Sequence, residues 1–102
     1  MKASCKAFLG EQFGGDEDIV KEIYEEYTAS AREKTEELAA VTAKEDWEAV
    51  DRVAHTLKGN ALVAGDQETA DVAIAMRGAS ILKDRAQADE LVARLRALVA
   101  EL

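Results

Sequence analysis

The segment AHTLKGNALVAG, residues 54–65, holds the only histidine of the chain, His55, with Lys58 and Gly59 one helical turn beyond it. Imidazole is largely neutral at pH 7, so one ring nitrogen of His55 is available as a nucleophile. Lysine is a compact cation with three donors, suited to the oxygens of a phosphoryl group. A glycine inside a helix costs about 1 kcal/mol relative to alanine. At Gly59 two offsets are open: a notch for a neighbouring helix, or a bare patch that lets a large partner or a tetrahedral group reach the imidazole. Together the three residues suit nucleophilic chemistry on an anionic group.

Placing residues 47–64 on a helical wheel at about 100° per residue gives one apolar face, from Trp47, Val50, Ala54, Leu57, Ala61 and Ala64. His55 falls about 100° from Ala54, on the rim of that face. Asp51 and Arg52 lie one turn before it, Lys58 and Gly59 one turn after, and Leu62 two turns on. Asp51 is a lone carboxylate, expected to be solvated or paired, so no metal site is expected at His55. Leu62 and Val63 either form an exposed apolar patch next to the histidine or pack under the end of the fold.

The rest of the chain reads as helices that would hold this segment. It has 102 residues and no proline, and no run alternates in the manner of a strand. A short helix is expected over Ala3–Gln12, ended by Gly14-Gly15. Asp16 and the acidic turn after it start a long helix to about Val41, its stripe formed by Val20, Tyr24, Tyr27, Ala31, Thr35, Leu38 and Val41. Thr42-Ala43-Lys44-Glu45 has the form of a capping box, so the third helix is expected from Glu45 or Asp46 to Ala64, with Gly65 as its stop. Asp66 is placed to cap a fourth helix over Gln67–Leu82 with Val72, Met76 and Ala79 inward. Lys83–Gln87 reads as a turn before a fifth helix carrying Leu91, Leu95, Leu98 and Leu102. Short connections favour antiparallel neighbours. The expectation is all-α: one domain over residues 1–102, an up-and-down antiparallel four-helix bundle with a short extra N-terminal helix at one end. The tyrosines, Trp47 and both methionines are read as core or core-edge residues.

Charge narrows the functional classes. The net charge is −8, and residues 11–51 carry 14 acids against 4 bases. That is the wrong sign for nucleic-acid backbones; the acidic half reads as a solvated face. No run reaches the roughly 18 apolar residues of a membrane span. The start, with Lys2 and Lys6, is too polar for a signal peptide, and Cys5 is the only cysteine. These features lead us to expect a cytoplasmic protein, and a monomer because one core uses every apolar stripe.

The motif around His55 resembles the signature of the histidine-containing phosphotransfer (HPt) domain of multi-step phosphorelays: His, any residue, Leu, Lys, Gly, a small residue, and a further Gly ten after the histidine. His55, Leu57, Lys58, Gly59 and Gly65 fit, as does Ala54 before the histidine. The resemblance extends over essentially the whole chain. It implies a four-helix bundle in which His55 takes a phosphoryl group, at Nε2, from the aspartyl phosphate of a receiver domain and passes it to another receiver's aspartate. It implies that Lys58 holds the phosphoryl oxygens, that Gly59 leaves room for the group and the receiver, and that Leu57 fixes the helix in the core. Partners would be receiver domains and a hybrid histidine kinase. No cofactor is implied for this chain; Mg²⁺ would come with the receiver. Two departures stand out. Asn60 occupies a position usually held by serine or alanine, its amide available to the phosphate. Arg77-Gly78 stands where the family often has Leu-Glu, which would loosen packing or alter the surface near the site.

No nucleotide-binding loop or kinase motif set is present, so the chain is expected to carry phosphate without ATP-dependent kinase activity of its own. The alternative is a helical module that docks receivers without accepting phosphate. A hydrolase or metal protein built on His55 lacks a paired base or a ligand cluster.

Overall fold

Five helices carry nearly the whole chain: α1 (Ala3–Gln12), α2 (Glu17–Ala43), α3 (Trp47–Ala64), α4 (Gln67–Leu82) and α5 (Arg85–Ala100). The computed structural model describes all residues from Met1 to Leu102. There is no strand. The four long helices form an antiparallel ring in which α2 packs on α3, α3 on α4, α4 on α5, and α5 closes against α2; α1 lies against α2 and α3. The molecule measures 43 × 18 × 17 Å, its length set by α2.

Each bundle helix starts at an aspartate. Asp16, Asp46, Asp66 and Asp84 accept the backbone N–H of Ile19, Ala49, Thr69 and Gln87 at 3.2, 3.2, 3.3 and 3.0 Å. These caps satisfy N–H groups that the helix itself leaves unpaired, and they correct two expected boundaries. The Thr42–Glu45 capping box does not form. Thr42 is buried inside the last turn of α2, its hydroxyl without a partner. Glu45 takes a left-handed φ of 53°, and Asp46 starts α3 instead. The turn expected over Lys83–Gln87 shortens to Lys83 and Asp84, because Asp84 caps α5 at once.

One hydrophobic cluster joins all five helices, from Cys5 and Leu9 on α1 to Leu95 and Val99 on α5. The α2 stripe is buried as its spacing requires, except that Val41 is only half-buried. On α4, Val72, Met76 and Ala79 point inward. Trp47 sits at the core edge, as expected, whereas the expectation for Met1 is corrected: it is 53% exposed, because it precedes α1 and no helix covers it. On α5 the buried seam is Ala88, Val92, Leu95 and Val99, while Leu91, Leu98 and Leu102 lie half-buried beside it.

The buried faces of α3 and α4, the most extensively packed pair of helices, are rich in small residues: Ala54, Ala61, Ala64, Ala70, Ala73 and Ala79 are all at most 1% exposed. Small side chains let the two backbones approach closely, so a long side chain on α4 can reach across to the rim of α3.

At the end of α3, Gly65 adopts φ 77°, the left-handed conformation that stops a helix. Phe8 of α1 lies directly over it: a Cβ at position 65 would overlap the Phe8 Cβ and come within 2.7 Å of its Cγ. Gly65→Ala therefore meets both backbone strain and a clash, and is expected to cost about 2–3 kcal/mol. Urea unfolding should show a lower midpoint with an unchanged slope. A loss below about 0.5 kcal/mol would mean that α1 does not rest on this turn.

Candidate functional site

His55 projects from the middle of α3, anchored below by its own helix. Val53, Ala54 and Leu57 are at most 3% exposed, and burying a leucine such as Leu57 contributes about 2 kcal/mol. These neighbours fix the rotation of α3 and leave the imidazole exposed at the α4 side. Lys58 is half-buried and forms no ion pair; Arg52 is exposed and also unpaired. A cation one turn from the imidazole, with no carboxylate engaging it, is free to meet an incoming anion.

Gly59 resolves the choice left open by the sequence. A Cβ built there meets no neighbouring helix or side chain within 4 Å, so the glycine is not a packing notch. It leaves open surface one turn from the imidazole. Gly59→Ala is accordingly expected to raise stability by about 0.5–1 kcal/mol through helix propensity. A thermal melt showing destabilisation would instead assign the glycine to packing. Gly78 on α4 is likewise open, so it does not loosen an interhelical contact.

Asn60 lies elsewhere. Its Nδ2 donates to Ser30 Oγ of α2 at 3.0 Å, on the opposite flank of α3 from the Arg77 contact, so the amide ties α3 to α2 rather than standing free for a phosphate. Leu62 is 43% and Val63 69% exposed; with Phe8, Phe13 and Ile23 they line an apolar depression against α1 and α2. Of the two readings of Leu62, the exposed patch is the one observed, two turns from His55.

The residue that sequence reasoning left without a role is Arg77. Its Nε donates to Asp51 Oδ1 at 2.9 Å, and its Nη1 lies 3.2 Å from His55 Nδ1. Asp51 is therefore a paired charge, and no cluster of three or more His, Cys, Asp or Glu residues is arranged for a metal ion. A signal for Arg77 was present. His55 stands eleven residues before Asp66 and Arg77 eleven after, so an antiparallel hairpin about that turn brings them level.

An exposed mid-helix histidine, a free lysine and a bare glycine on one bundle helix is the arrangement implied by the sequence motif. The family model for the Hpt domain matches residues 22–102, all of the bundle but the first turn of α2. The chain belongs to the Hpt domain family. No curated protein and no solved structure matches it. Membership places this Hpt domain among proteins that serve phosphotransfer in phosphorelays, interact with receiver domains and act as phosphocarriers rather than kinases. No helix of this Hpt domain is long and apolar enough to cross a membrane.

Proposed function

We propose that this Hpt domain is a phosphorelay intermediate in which His55 accepts a phosphoryl group from the aspartyl phosphate of a receiver and passes it to another receiver aspartate. The observation that carries the reading is the exposed imidazole with unpaired Lys58 and open Gly59 beside it. In the forward step, the His55 Nε2 lone pair forms the N–P bond as the bond from phosphorus to the aspartyl oxygen breaks. The electron pair leaves with the donor carboxylate. Phosphoryl transfer depends on positioning and charge stabilisation more than on covalent chemistry by the protein. Lys58 contributes positive charge at the phosphoryl oxygens, Gly59 gives access, and Arg52 adds to the local positive field. Mg²⁺ comes with the receiver, so this chain needs no cofactor or metal of its own. The Leu62–Val63 patch, with Phe8 and Phe13, supplies the apolar contact that a receiver surface requires. The protein acts as a cytoplasmic monomer, and a hybrid histidine kinase is a partner at the head of the relay.

The test is incubation with a panel of phosphorylated receivers while phosphate is followed on both proteins. Acid-labile, hydroxylamine-stable label on this chain is the expected result. Binding without label, from receivers that phosphorylate a reference Hpt domain, would favour the docking-module alternative.

A further inference from the structure

The contact between Arg77 and His55 has a direction. A guanidinium carries donors only and stays protonated, so Nη1 at 3.2 Å from Nδ1 can pair only with an Nδ1 that holds a lone pair. The neutral ring then carries its proton on Nε2. Asp51, one turn before His55 on the same helix, fixes the guanidinium by accepting from its Nε at 2.9 Å. Arg77 is therefore tethered, with one arm on Asp51 and the other on the imidazole. In this arrangement neither ring nitrogen is a free nucleophile: Nε2 bears hydrogen, and the Nδ1 lone pair is occupied.

We infer that Arg77, held by Asp51, is a positioning residue that keeps His55 in its Nε2–H tautomer and so gates phosphoryl transfer. The gate half of this inference rests on the phosphocarrier reading; the tautomer half does not. Attack through Nε2 requires Arg77 to leave Nδ1. Solvent then delivers a proton to Nδ1 and removes the one on Nε2. The freed Nε2 lone pair forms the N–P bond while the donor's bond to phosphorus breaks and its electron pair leaves with the donor. The ring, still bearing Nδ1–H, is cationic until that proton passes to solvent. Nδ1 is then a lone-pair acceptor again, and Arg77 can return to it. There it opposes the Nδ1 protonation that makes the imidazole a good leaving group. The same contact thus slows loading and, once phosphate is on, slows its loss. A docking receiver opens the gate if its own carboxylates compete with Nδ1 for the guanidinium.

Two measurements separate the halves. Nitrogen-15 spectra of the ring at about pH 8, where imidazole is neutral, should show an unprotonated Nδ1 and a protonated Nε2 in the wild type. Arg77→Glu, combined with Asp51→Asn to avoid repulsion, places an acceptor at Nδ1 and should move the proton there. A purely structural ion pair would leave this signature unmoved. An Nδ1–H wild type, or a pattern indifferent to the substitution, overturns the inference. For the gate, phosphoramidate serves as a small donor with no carboxylates. A partly exposed hydrogen bond corresponds to about a two- to tenfold change, so Arg77→Ala should load faster and lose its acid-labile phosphate faster by that factor. Equal or slower loading overturns the gate. Should neither protein take phosphate from phosphoramidate or from any phosphorylated receiver while the tautomer follows residue 77, the phosphocarrier reading fails, the gate falls with it, and the tautomer assignment is upheld.

Discussion

A chain carrying glutamine in place of His55 is expected to take up no acid-labile phosphate from any receiver that labels the wild type, while keeping its stability within about 0.5 kcal/mol. Both halves follow from the position of the side chain. His55 is exposed, and its one side-chain hydrogen-bond partner is Arg77 Nη1 at 3.2 Å. Its removal opens no cavity and strands no buried group. Glutamine matches the reach of the ring and offers Arg77 a carbonyl oxygen, but the lone pair of an amide nitrogen is delocalised into its carbonyl and is not available to form an N–P bond. Circular dichroism and a urea melt check the fold; phosphate transfer from the same receivers checks the chemistry. Label on the glutamine variant would move the acceptor away from His55, and with one histidine in the chain it would not be a phosphohistidine.

Most of the bundle was legible because its signals are local. The α2 stripe and the Gly65 stop each need only a few residues of sequence. The misreadings come from competition between local signals. Thr42 and Glu45 have the right types for a capping box, but Asp46 caps α3 instead, and α2 continues two residues past Val41, to Ala43, which buries Thr42. Lys83–Gln87 looked like a loop because Asp84 was not recognised as a cap. On α5 the leucine spacing does not by itself mark the buried face: the ring of four helices buries Ala88, Val92, Leu95 and Val99 and leaves Leu91 and Leu98 at the border. The site divides in the same way. His55, Lys58 and Gly59 share one helix, and their relation follows from helical geometry. Asn60 and Arg77 take their roles from other helices. Ser30 lies thirty residues from Asn60, and Arg77 reaches His55 because α4 packs along α3.

The other large effect is expected at Asp66, which ties the N-terminal segment and α2 to the start of α4. The carboxylate is fully buried. Lys2 Nζ donates to its Oδ1 at 2.7 Å, and the Tyr27 hydroxyl and Thr69 Oγ1 donate to its Oδ2 at 2.6 and 2.7 Å. The Thr69 backbone N–H adds the helix cap. Burial alone pushes the carboxyl upward, but the hydrogen bonds from Lys2, Tyr27 and Thr69 together outweigh it, and the group is held below its ordinary value of 3.8. Burial pushes the Tyr27 phenol far up, reinforced by its bond to the carboxylate, so Tyr27 stays a donor. In Asp66→Asn the charge that pairs with Lys2 is lost, and the amide N–H₂ faces either the Lys2 and Thr69 N–H donors or two hydroxyls that must turn from donating to accepting. The loss is expected to be about 3 kcal/mol, the scale for removing one side of a buried pair, with Lys2 18% exposed placing it at the lower end. For a chain of this length that lowers the melting temperature by about 10–20 °C. The pH dependence has a fixed sign. A carboxyl depressed in the folded state contributes fully above its unfolded value and loses that contribution as pH falls through the folded one. Wild-type stability should therefore decline as pH drops below about 4, and the asparagine variant should decline less steeply there. Parallel pH profiles, or a melting temperature within about 3 °C of wild type, would show that the buried carboxylate does not hold α1 and α2 to this end of the bundle.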